Sequence, residues 1–137
     1  MPLIFYIDDS KDDLFYLDYM RRKGVLKAEL VTFSQPQDAW EMLEARNGKG
    51  ESMPDLLIAD LYMPLDGGLL LIRKISQDSR FAGVRLGVCS GSDAEEDRQR
   101  SLAAGADVFF LKPLNPEDIP LDCAPWTGVL DGRGKPD

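Results

Sequence analysis

Five short apolar runs punctuate the chain: Leu3-Ile4-Phe5-Tyr6-Ile7, Ala28 to Phe33, Leu56-Leu57-Ile58-Ala59, Val84 to Cys89, and Val108-Phe109-Phe110-Leu111. Each is short and rich in β-branched, leucine or aromatic residues, which predicts strands. Between them the apolar positions recur at helical spacing. Residues 11–23 read as a helix with Leu14, Leu17 and Arg21 along one face and Phe15, Tyr19 and Met20 beside it. A second helix starts at Pro36 and carries Ala39, Trp40 and Leu43. A third covers 68–77 with Leu71, Ile72 and Ile75 inward, and a fourth runs from Ser92 to about Ala104. Gly24 and Gly105 sit where helix C-caps belong, Pro36 suits a first helical turn, and Ser92-x-x-Glu95 has the spacing of a capping box. Asn47-Gly48-Lys49-Gly50-Glu51-Ser52 reads as a polar loop. Strand and helix alternate with short connections throughout. That pattern predicts an α/β fold on a doubly wound parallel sheet with right-handed crossovers.

The third run is apolar on both faces, as suits a strand covered on both sides. Asp60 interrupts it and Pro64 stops it. An ionised carboxylate is costly to bury without a partner, so Asp60 belongs where the strand surfaces, at its carboxyl end. The other strand ends repeat the theme. Asp8-Asp9 follows the first, Ser90 closes the fourth and Lys112 follows the fifth, with nothing comparable after the second. In a parallel sheet these ends share one edge, the edge where ligands bind. Each residue alone also has a plainer use: Asp9 or Ser10 would cap the next helix, and Asp12-Asp13 would suit its positive end.

Composition narrows the chemistry. The 137 residues fit one domain, and the formal net charge of −8 argues against nucleic acid or an anionic membrane as partner. No run of about 18 apolar residues and no leader pattern occurs, which predicts a cytoplasmic protein. The two cysteines, Cys89 and Cys123, are expected as free thiols. There is no histidine. That removes histidine-based triads, histidine metal sites and a phosphohistidine carrier role. What remains is carboxylate, hydroxyl and lysine chemistry. Three carboxylates at one edge repel by roughly 4 kcal/mol per pair at about 4 Å and an effective dielectric near 20. Such a set asks for a hard cation, Mg²⁺ or Mn²⁺. A hydroxyl and a lysine beside it would receive an oxyanion. Together they describe phosphoryl transfer to a carboxylate.

The pieces Ile7-Asp8-Asp9, Asp60-Leu61-Tyr62-Met63-Pro64-Leu65-Asp66-Gly67, Val88-Cys89-Ser90-Gly91, Gly105-Ala106-Asp107 and Phe109-Phe110-Leu111-Lys112-Pro113 resemble, in order and spacing, the receiver domain of two-component response regulators. The resemblance covers roughly residues 2–114. It implies a flavodoxin-like five-stranded parallel sheet of order 2-1-3-4-5. It implies Asp60 as phosphoacceptor, Asp9 as a direct Mg²⁺ ligand, Asp8 as a ligand through water and the backbone carbonyl of Tyr62 as a further ligand. Ser90 and Lys112 would bind phosphoryl oxygens, the Lys112-Pro113 bond would be cis, and Phe109 would take the aromatic switch position. Tyr62 and Ser92 would flank the site. The implied partners are a sensor histidine kinase or phosphotransfer protein and a downstream protein the sequence does not name, with homodimerisation open.

Residues 1–114 are thus expected as the receiver domain and 115–137 as an atypical segment. The family's fifth helix should follow Pro113, but Pro116, Pro120, Pro125 and Pro136 argue that it is short, displaced or missing. Ile119, Leu121, Trp126, Val129 and Leu130 would cover the sheet in its place or meet a partner. No output domain follows, which suggests a stand-alone switch. Two rivals stand beside this reading. A Mg²⁺-dependent aspartyl-phosphate phosphatase of the haloacid dehalogenase type needs aspartates two residues apart after strand one, where this chain has them adjacent. A receiver-like module that never takes phosphate typically lacks part of the acidic, hydroxyl and lysine set.

Overall fold

The structure, a computed structural model, describes residues 1–119. Five strands, β1 (Leu3–Ile7), β2 (Glu29–Phe33), β3 (Leu56–Asp60), β4 (Arg85–Ser90) and β5 (Val108–Leu111), form one parallel sheet of order β2-β1-β3-β4-β5. Four α-helices alternate with them: α1 (Lys11–Arg22), α2 (Pro36–Gly48), α3 (Gly67–Ser76) and α4 (Glu95–Ala104). The central strand β3 is buried along its whole length, as its two-sided apolar run requires.

Strand residues alternate between two cores, because successive side chains point to opposite faces. Phe5, Ile7, Leu57, Ala59, Leu86 and Val88 pack with Ala39, Trp40 and Leu43 of α2, Leu71, Ile72 and Ile75 of α3, and Ala104 of α4. Ile4, Tyr6, Leu56, Ile58, Cys89, Val108 and Phe110 face the other way and pack with Leu17 of α1. Leu14 and Met20 flank that contact, while Phe15 and Tyr19 stay exposed and stack on each other at 6.3 Å.

Several boundaries differ from the sequence reading. Helix α2 continues through Asn47-Gly48, and the turn falls at Gly50, which holds φ 71. The Ser92-x-x-Glu95 pattern does not form a capping box. Ala94 occupies the N-cap with no side-chain bond, and the Ser92 hydroxyl instead accepts from the Ala94 N–H at 3.2 Å. Ser10, by contrast, does cap α1, its Oγ accepting from Asp13 N–H at 3.3 Å. After β5 the described chain makes a cis Lys112–Pro113 bond and a single 3-10 turn, Pro116–Asp118, with no α-helix among the described residues. Ile119 is buried. The expectation for Leu121, Cys123, Trp126, Val129 and Leu130 lies outside the described residues.

Candidate functional site at the carboxyl edge of the sheet

The period of two that builds the cores also builds the site. Tyr6, Ile58 and Phe110 all face the α1 side. Two residues further along each strand, Asp8, Asp60 and Lys112 keep that side and emerge at the carboxyl edge. The Lys112 ammonium then lies 2.8 Å from Asp8 Oδ2 and 2.9 Å from Asp60 Oδ1. Helix α1 begins over this spot, and its first turn contributes Asp13, whose Oδ2 is 2.7 Å from the same nitrogen. Asp8 is fully buried and Asp60 nearly so. Two further donors hold Asp8 in place: the buried Tyr6 hydroxyl donates to Oδ2 at 2.6 Å and the Ser10 N–H donates to Oδ1 at 2.9 Å.

One ammonium among this many carboxylates leaves the edge short of positive charge. The Asp60 carboxyl is raised to about 6: burial pushes it up most, the Lys112 hydrogen bond pulls it down, and the charges on Asp8 and Asp9 push it up. Burial works against the Lys112 ammonium, but hydrogen bonds to Asp13, Asp8 and Asp60 more than offset it, so the lysine stays firmly protonated. Asp9 is exposed beside the cluster. A ligand atom of Cys89 also lies within 4.8 Å of those of Asp8 and Asp60, yet burial pushes its thiol well above the ordinary range. A protonated thiol is a poor ligand. The usable donors are therefore carboxylate and carbonyl oxygens, a set that fits Mg²⁺ or Mn²⁺.

Ser90 ends β4, fully buried. Its Oγ accepts from the Ser92 N–H at 3.0 Å, which leaves the hydroxyl proton to donate elsewhere. Phe109 is turned inward, buried against the α2–α4 core, with the Arg98 guanidinium 4.8 Å from its ring centroid. Tyr62 is exposed, but its hydroxyl donates to Oδ1 of buried Asp97 at 2.6 Å, a bond that raises the phenol's pKa. A second link, Arg100 to Asp66 at 3.1 Å, runs between α4 and the same loop. That loop is strained: Leu65 and Asp66 hold φ of 58° and 54°. Gly68 follows because a Cβ there would collide with the Asp60 carbonyl oxygen.

Tyr6, Asp13 and Asp97 did not stand out in the sequence as site residues. Tyr6 looks like any apolar strand residue, and Asp13 like a helix-dipole carboxylate. The usable signal for Asp13 was positional, since the first turn of a helix that follows a parallel strand lies at that strand's carboxyl end.

A parallel sheet of this order, with carboxylates, a hydroxyl and a lysine gathered at its carboxyl edge, defines a signalling receiver module. The response regulator receiver domain family matches residues 4–122, and the chain belongs to that family. It is 29% identical over 97 residues to the phosphate regulon transcriptional regulatory protein PhoB of Escherichia coli, a match covering 66% of this chain and 42% of PhoB. It is 26% identical over 123 residues to the two-component response regulator ORR5 of Oryza sativa subsp. japonica, covering 90% of this chain and 87% of ORR5. The Mn²⁺-bound structure of the response regulator Rcp1 superposes with a TM-score of 0.68 at 21% identity, covering 86% of each chain. The chain thus spans less than half the length of the transcriptional regulator it matches. Among the described residues, no helix is long and apolar enough to cross a membrane.

Proposed function

We propose that the chain accepts a phosphoryl group on Asp60 from a sensor histidine kinase or a phosphotransfer protein, and signals by protein contact. The observation that carries this reading is the Lys112 ammonium 2.9 Å from Asp60 Oδ1, with Asp8 on the same nitrogen. An Asp60 oxygen attacks phosphorus. The O–P bond forms, the P–N bond of the donor phosphohistidine breaks, and its electron pair leaves on the imidazole nitrogen, which takes a proton from solvent. Lys112 turns the N–H it gives Asp60 toward a phosphoryl oxygen, and Ser90 donates its free hydroxyl proton to another. Mg²⁺, or Mn²⁺, held by Asp9, Asp60 and the Tyr62 carbonyl and reached by Asp8 through water, would supply the positive charge this edge lacks. The Mn²⁺ bound by Rcp1 supports such a cation.

The role is that of a phosphoacceptor rather than an enzyme acting on an outside substrate, and it belongs in the cytoplasm. Output runs through Phe109. With no hydroxyl to anchor it, its inward state rests on packing and on the Arg98 contact. The net charge of −8 argues against direct contact with nucleic acid. The test is site-resolved: phosphorylation by acetyl phosphate, then borohydride reduction, which converts an aspartyl phosphate to homoserine, then peptide mapping. Conversion at position 60 is expected. Conversion at another aspartate, or none, would overturn the assignment.

A further inference from the structure

We propose that Asp13 is a positioning residue that holds Lys112 in place through the phosphorylation cycle; this rests on the phosphoacceptor reading above. A lysine ammonium has three N–H donors and no acceptor. Here Asp13 Oδ2 accepts one at 2.7 Å, the shortest contact, while Asp8 Oδ2 and Asp60 Oδ1 pair with the same nitrogen at 2.8 and 2.9 Å. The three partners are not equivalent in the reaction. Asp60 gives up its anionic oxygen when it becomes an acyl phosphate. Asp8 belongs to the acidic pair that faces the cation. Asp13 has neither duty, so its hold on Lys112 persists from the resting to the phosphorylated state.

The local structure suits that task. Asp13 lies in the first turn of α1, where the helix dipole favours a carboxylate. Its backbone is fixed by the Ser10 cap at 3.3 Å. Further along α1, Tyr16 donates to Asn115 Oδ1 at 3.3 Å, so the helix is tied a second time to the chain that follows β5. Lysine is a point charge on a flexible four-carbon stem. With Asp60 esterified and Asp8 drawn to a cation, Asp13 is what keeps the ammonium aimed at the phosphoryl oxygens rather than at solvent.

The experiment is ¹⁹F NMR of the beryllium trifluoride adduct, a phosphoryl mimic, formed with Mg²⁺ on the wild type, Asp13→Ala and Asp13→Asn. Rates of phosphorylation by acetyl phosphate are measured on the same proteins. In the wild type, the fluoride that accepts from Lys112 gives its own resonance. Asp13→Ala is expected to shift or broaden that resonance alone and to slow phosphorylation about tenfold, and Asp13→Asn, which keeps the oxygen, recovers part of both. An unchanged resonance and rate in Asp13→Ala would overturn the inference. So would a uniform change of all resonances together with a lowered melting temperature, which marks a merely structural carboxylate. Absence of any adduct in the wild type would instead overturn the phosphoacceptor reading itself.

Discussion

The two ends of one sheet use aspartate in opposite ways. At the amino edge, Asp55 Oδ2 accepts from the Leu3 N–H at 2.8 Å and Asp107 Oδ2 accepts from the Leu86 N–H at 2.9 Å. Each carboxylate there serves a neighbouring strand's backbone donor and ties two strand ends together. At the carboxyl edge, Asp8, Asp13 and Asp60 converge on one ammonium, and the Asp60 carboxyl is pushed up to about 6 by burial. The first arrangement is structural: each carboxylate spends an oxygen on a backbone donor. The second is left electrostatically unfinished, and an unfinished buried site is a candidate for chemistry.

Breaking the amino edge should give the largest loss of stability and leave phosphorylation intact. Asp107→Ala removes a buried acceptor and strands the Leu86 N–H, so urea unfolding is expected to show a loss of about 3 kcal/mol, while the adduct with acetyl phosphate still forms. Completing the carboxyl edge should do the reverse. Mg²⁺ at a hundredfold excess over its dissociation constant is expected to stabilise the fold by about 2.7 kcal/mol, read as a rise in melting temperature that Asp60→Asn largely loses.

The pH dependence follows from the raised Asp60 pKa. Below the ordinary carboxylate value, near 4, both native and unfolded states hold the proton and nothing is lost. As pH rises toward about 6, the unfolded chain ionises first, so metal-free stability falls across that window, and above it the full cost remains. Asp60→Asn removes the cost, so at pH 7 without metal it should be more stable than the wild type by about 2 kcal/mol, with a flatter pH profile by urea unfolding. The smallest effect is expected for Asp55→Asn. This exposed side chain keeps an acceptor oxygen for Leu3, so the change should be about 0.5 kcal/mol, and a loss several times larger would erase the contrast between the edges.

Much of the fold and of the site is legible in the sequence. The five apolar runs match the five strands, because a two-sided parallel sheet leaves continuous apolar stretches between turn residues. Asp8, Asp60, Ser90 and Lys112 fell at strand ends, and the structure brings them to one edge. The misreadings were local. By sequence Gly48 reads as a loop residue, yet a glycine near a helix C-terminus costs little and α2 runs through it. Ser92 matched a capping pattern, but its hydroxyl closes a short turn onto Ala94, so the helix starts later. What could not be read were the contacts between distant segments. Asp13 and Lys112 are 99 positions apart, and Tyr62 and Asp97 are 35 apart. No periodicity connects them. They follow from how α1 and α4 lie on the sheet.

Whether the unfinished edge takes a phosphoryl group is read by intact-protein mass spectrometry. The protein is incubated with acetyl phosphate, with Mg²⁺ or with a chelator, beside Asp60→Asn. A single phosphoryl adduct that needs Mg²⁺ and is absent from the variant is expected. A wild-type protein that binds Mg²⁺ yet gains no mass, or an adduct that survives Asp60→Asn, would contradict it.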